Sequence, residues 1–68
     1  MTYSYNTLWK LLIANNMMKK DLMAKANITS NTMAKMGKNE PVSLDALARI
    51  CVALKCNIGD ILDIILDD

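Results

Sequence analysis

Histidine is missing from the 68 residues, while cysteine and glycine occur only twice each and proline once. Without histidine the commonest general base is gone, and no serine or cysteine has another evident base beside it. No glycine-rich loop is present to cradle phosphates, so an enzyme is not expected. Two cysteines without histidine fall short of a zinc ligand set, and neither a metal nor a cofactor is expected. Aromatic residues make up only 4% of the chain, so Trp9 is expected to pack rather than to stack on a ligand. Long apolar runs are lacking too: the most apolar stretch, residues 61–66, is broken by Asp63 and falls well below the roughly 18 residues of a membrane span. Cys51 and Cys56, with no leader-like segment ahead of them, fit a reducing compartment. A soluble, cytoplasmic chain with no membrane partner is expected.

What is present is an aliphatic, sulfur-rich interior. The apolar fraction is 53%, and the six methionines read as adaptable core fillers rather than a cofactor box. Residues 1–68 suffice for one domain, one that buries only about 60% of the surface its unfolded form exposes. No small-molecule effector is expected, because 68 residues offer no second domain to house one. The net charge of +1 conceals an uneven distribution. Residues 1–39 carry six lysines against Asp21 alone, whereas residues 40–68 set Arg49 and Lys55 against six carboxylates. Such separation implies one surface suited to phosphates and another that keeps the chain solvated.

Helical periodicity organises the whole length. Asn6 can cap a first helix in which Leu8, Leu11 and Leu12 recur at helical spacing, with Trp9 and Ile13 on an adjoining stripe and an end near Asn15 and Asn16. A second helix is expected over residues 18–26, with Leu22 and Ala26 inward. Asn27 follows, a residue that tolerates the left-handed backbone of a tight turn, and Ile28 reads as a buried turn residue. Thr29 can cap a third helix over residues 29–36, with Met33 and Met36 inward and Gly37 as its stop. Beyond a loop containing Pro41, Ser43 can cap a fourth helix whose stripe is Leu44, Leu47, Ile50, Cys51 and Leu54, with Cys51 as a packed thiol. Asn57 and Asp60 resemble a capping box that opens a fifth helix over residues 58–66. No stretch alternates with period two, so no strand is expected. The expected fold is all-α and compact, with five helices.

Function is most legible in residues 19–38. Two short helices joined by about three residues form a helix-turn-helix, in which Leu22 and Ile28 fill the angle and Met33 and Met36 anchor the second helix. Its opposite face holds Ser30, Asn31, Ala34, Lys35 and Lys38 on one stripe. Asn can bind adenine through two hydrogen bonds, Lys can reach guanine or phosphate, and Ala34 leaves room for a thymine methyl. At the start of the second helix, Met18 is a poor cap, and Lys19 and Lys20 put positive charge at the positive end of the helix dipole. A bound DNA phosphate would reverse that mismatch.

The run MKKDLMAKANITSNTMAKMGKNEPVSLDALARICVALKCNIGDIL resembles the Cro and phage-repressor type helix-turn-helix family, the Xre-like regulators, in the order and spacing of its core, turn and cap residues. The resemblance implies a lambda-repressor-like domain that binds double-stranded operator DNA, usually as a homodimer, with the third helix reading bases. It places Lys19 where the family often has a phosphate-binding glutamine, and Thr29, Ser30, Asn31, Thr32 and Lys35 at recognition positions. Lys38 extends the same basic stripe. The sequence departs from the family pattern at Met23, Asn27 and Gly37. On the fifth helix, Ile61, Leu62, Ile64, Ile65 and Leu66 spread too widely to face one small core, and a dimer seam of Ile61, Ile64, Ile65 and Leu66 is expected there. A sequence-specific transcriptional regulator is therefore the leading expectation. The second is a protein-binding adaptor, antitoxin-like, that uses the apolar C-terminal helix.

Overall fold

A computed structural model describes residues 1–67. Asp68, expected to form a solvated end with Asp67, lies outside the described residues. In chain order the elements are β1 (Thr2–Ser4), α1 (Asn6–Ala14), α2 (Lys19–Ala26), α3 (Ser30–Gly37), α4 (Leu44–Leu54), a 3-10 turn (Ile58–Asp60) and β2 (Asp63–Ile65). Among the described residues the domain is thus mostly helical, with four α-helices and a small antiparallel sheet.

The four helices follow their apolar periodicity. Leu8 and Leu12 of α1, Leu22 and Ala26 of α2, Met33 and Met36 of α3, and Leu47 and Ile50 of α4 are buried around one core, with Ile28 from the turn. Thr29 and Ser43 cap α3 and α4, accepting from the Thr32 and Ala46 amides at 3.2 and 3.1 Å. Two apolar positions depart from the expected stripes: Leu44, at the first residue of α4, and Ile13, near the end of α1, are exposed. Asn6 is not a cap. It is the first residue of α1, and its amide donates to the Ser4 hydroxyl at 3.4 Å.

All four helices end with the same closure. Asn16, Asn27, Asn39 and Lys55 take positive φ, between 55° and 59°. The amide that follows each one donates to the carbonyl five residues back: Met17 to Leu12, Ile28 to Met23, Glu40 to Lys35 and Cys56 to Cys51, at 2.9 to 3.0 Å. This is the Schellman arrangement, which satisfies carbonyls that a helix end otherwise leaves open. Gly37 is the last residue of α3 but has ordinary φ, and the left-handed reversal is made two residues later by Asn39.

The expected fifth helix does not form. Residues 58–66 hold four isoleucines, whose branched side chains lose rotamer freedom in a helix, together with Gly59 and two aspartates. Asn57 and Asp60 do make the expected cap contact, the Asn57 amide donating to Asp60 Oδ2 at 2.9 Å, but only a single 3-10 turn follows. The chain then extends and pairs antiparallel with β1, matching Thr2 with Ile65, Tyr3 with Ile64 and Ser4 with Asp63. Three paired residues are too short for alternation to show in a sequence. The Met1 ammonium also meets the Asp67 carboxylate, an exposed pair that adds little.

Ile61 accordingly leaves the expected dimer seam, because it is fully buried in the domain's own core. Ile64, Ile65 and Leu66 remain exposed. An adaptor relying on an apolar C-terminal helix loses that element.

Tyr5 is the core residue that periodicity did not point to. Its ring is buried and its hydroxyl donates to the Glu40 carbonyl at 2.7 Å, tying the start of α1 to the loop after α3. Burial, and then the neighbouring Tyr3, raises the phenol above its ordinary value of 10.0. The half-buried Cys56 thiol is likewise pushed up, first by burial and then by Cys51 and Asp60, which favours an inert thiol.

Two stability measurements follow from these features. Lys55 carries a side chain at φ 55°, a conformation that costs a non-glycine residue roughly 1–2 kcal/mol. Lys55→Gly should relieve more than the roughly 0.4–1 kcal/mol lost to a looser unfolded chain, so the urea midpoint should rise. Because the folded state holds Tyr5 protonated, the unfolded chain ionises first as pH climbs past 10.0. The stabilisation is complete below that pH and is lost as pH approaches the raised folded value. Tyr5→Phe should lower stability by about 1 kcal/mol at neutral pH and flatten this alkaline decline, both read from urea unfolding at a series of pH values.

Candidate nucleic-acid interface

The turn between α2 and α3 is built from three consecutive residues with separate tasks. Asn27 adopts φ 55°, Ile28 drops into the core, and Thr29 restarts the chain as the cap of α3. Arg49 reaches across from α4 to donate to the Asn27 carbonyl at 3.1 Å, while its other terminal nitrogen pairs with Asp45 at 2.9 Å. A cation at the C-terminus of α2 also complements the helix dipole. Nothing in the linear pattern singled out Arg49, since a helical arginine on a polar face reads as solvated.

With Met33 and Met36 buried, the rotation of α3 about its axis is set, and Ser30, Asn31, Ala34, Lys35 and Lys38 come out exposed. Among the described residues, the side chains of Ser30, Asn31, Lys35 and Lys38 have no hydrogen-bond or ion-pair partner in the chain. Thr29 is differently placed: its hydroxyl accepts from the Thr32 amide and donates to Thr32 Oγ1 at 3.1 Å. That commits Thr29 to holding the helix start and leaves the half-buried Thr32 hydroxyl its own proton to donate.

Lys19 forms a second locus, at the first residue of α2. Its ammonium lies 4.4 Å from the centroid of the Trp9 ring, a cation–π contact that spacing alone did not show. The expected charge mismatch at this helix start is partly met from within. Asp21, two residues further along α2, accepts from the Met18 amide at 2.8 Å and brings a negative charge into the first turn. Met18 itself offers no capping side chain, and the amides of Lys19 and Lys20 find no acceptor among the described residues. They remain available to an external anion.

Among the described residues, no group of three or more histidine, cysteine or acidic side chains could hold a metal ion. No helix of the described residues is long and apolar enough to cross a membrane.

A tight helix-turn-helix, packed on a third and fourth helix and showing an unpartnered polar and basic stripe on its second helix, defines a DNA-binding domain. The comparisons agree. A family model described as a Cro/C1-type HTH DNA-binding domain matches residues 7–67, and the chain belongs to that family. It is also similar to a solved structure, that of the transcriptional regulator VanUg (Form II), at 48% identity and a TM-score of 0.88. That similarity covers 91% of this chain and 83% of the other. No curated protein matches the chain.

Proposed function

We propose that this chain is a sequence-specific transcriptional regulator that acts by occupying operator DNA, with α3 lying in the major groove and no catalytic step. The observation that carries this reading is the outward stripe of Ser30, Asn31, Lys35 and Lys38 on a helix whose rotation is fixed by buried Met33 and Met36. Membership of a DNA-binding family and likeness to a solved transcriptional regulator support it. Asn31 reads a base edge through its amide, Ser30 and Thr32 supply shorter hydroxyl contacts, and Ala34 lies against the groove floor. Lys35 and Lys38 neutralise phosphate or reach guanine. Thr29 serves as the cap that keeps these residues in register. Lys19, with the open amides beside it, holds a backbone phosphate at the start of α2.

The regulator works as a homodimer in the cytoplasm. Ile64, Ile65 and Leu66, exposed beside the free edge of β2, form the self-complementary seam. Two copies would then address half-sites about 34 Å apart, one turn of DNA.

Selection of bound duplexes from a random pool tests the whole reading, with an enriched palindrome as the expected result. Equal recovery of all sequences at physiological salt would defeat it. On the selected duplex, Asn31→Ala should cost about 1–3 kcal/mol and relax preference at a single position. Lys35→Ala should weaken binding across all sequences and reduce the slope of log affinity against log salt by about 0.9 if it neutralises a phosphate. Ile64→Asp should turn the dimer into a monomer in sedimentation and reduce affinity for the palindrome far more than for a half-site. A dimer that survives this change would move the seam elsewhere.

A further inference from the structure

The Lys19 ammonium above the Trp9 ring is a contact that the helix-turn-helix geometry does not require. The ion pairs of the described residues lie elsewhere, Met1 with Asp67 and Arg49 with Asp45, so Lys19 has no carboxylate partner among those residues. An exposed lysine normally samples many rotamers, and a ligand that recruits it bears the cost of ordering it. Indole is the most favourable aromatic face for a cation, and here it does that ordering in advance.

Trp9 is itself held in place. Its ring lies 6.5 Å from that of Tyr5 at an angle of 52°, and Tyr5 is buried with its hydroxyl anchored on the Glu40 carbonyl. A chain of contacts therefore runs from the loop after α3, through Tyr5 and Trp9, to the first residue of α2. The ring takes up one side of the ammonium and leaves its other N–H donors free for an oxygen acceptor.

We infer that Trp9 is a positioning residue for DNA binding, holding Lys19 ordered at the start of α2 so that its ammonium meets a backbone phosphate. The inference rests on the operator-binding reading, in which Lys19 touches phosphate. Were the ring instead withdrawing Lys19 from DNA, removing it would strengthen binding.

A double-mutant cycle decides the matter, using a fluorescein-labelled mixed-sequence duplex read by anisotropy over a range of salt concentrations. Lys19→Met should weaken binding and lower the log–log salt slope by about 0.9. Trp9→Leu should weaken binding about two- to fivefold when residue 19 is lysine, and leave it unchanged when Lys19→Met is present. An equal loss in both backgrounds would mean that Trp9 only supports the fold, and a gain on Trp9→Leu would mean withdrawal; either overturns the inference. If circular dichroism shows Trp9→Leu unfolded, Trp9→Phe replaces it, with a smaller coupling of the same sign expected and zero coupling overturning the proposal. Wild-type protein that binds no duplex at all would defeat the operator-binding reading itself. Wild-type binding with an unaltered affinity and salt slope in Lys19→Met would remove only the roles of Lys19 and Trp9.

Discussion

The angle between α2 and α3 depends on the backbone at Asn27, which turns left-handed and sends Ile28 into the core one residue later. Each of these helices has only eight residues, a length at which an isolated helix is marginal in water. Neither can impose a direction on the other, so the turn and the core beneath it must do so. Arg49 adds a constraint from outside the motif by holding the Asn27 carbonyl from α4. Helix α3 is thereby referred to the rest of the domain as well as to its partner helix, and its outward face keeps a fixed orientation.

That turn is one instance of a device used at every helix end. Three asparagines and a lysine supply the left-handed residue, and the next amide closes back on the helix each time. The two glycines take no part, since neither has positive φ. Asparagine tolerates this conformation because its short polar side chain can hydrogen-bond locally. It also leaves the unfolded chain with less freedom than glycine would, which matters in a small domain with little stability to spare.

The sequence made most of the helical framework legible. Leu8 and Leu12, Leu22 and Ala26, Met33 and Met36, Leu47 and Ile50 carry helical spacing strong enough to identify four helices and their inward faces. Thr29, Ser43 and Asn27 mark caps and turn by chemistry specific to those positions. Residues 58–66 are not legible in this way, because apolar content without a single face points to a helix with a second partner, whereas Ile61 enters the core and the following residues extend. The strand they form depends on Thr2–Ser4 from the opposite end of the chain, a pairing no local window contains. Tyr5, Arg49 and the Trp9–Lys19 contact were hidden for the same reason: each acts on a residue at least ten positions away.

In the proposed function, the surface that meets DNA is marked less by charge than by what backs it. Exposed lysines on a small domain are ordinarily solvated, and Lys10 or Lys25 needs no further account. Polar side chains at structural positions are committed to the backbone: Ser4, Tyr5, Asp21, Thr29, Ser43 and Asp60 all hold helix starts or loops. Asn31 and Lys35 are uncommitted, yet they flank buried Met33 and precede buried Met36, so their backbone cannot rotate away. A hydrogen-bonding group that is free at its tip and rigid at its base enters a groove with little ordering cost left to meet. On α2 the same logic reaches Lys19 by another route, because there an aromatic ring, rather than the helix, supplies the rigidity.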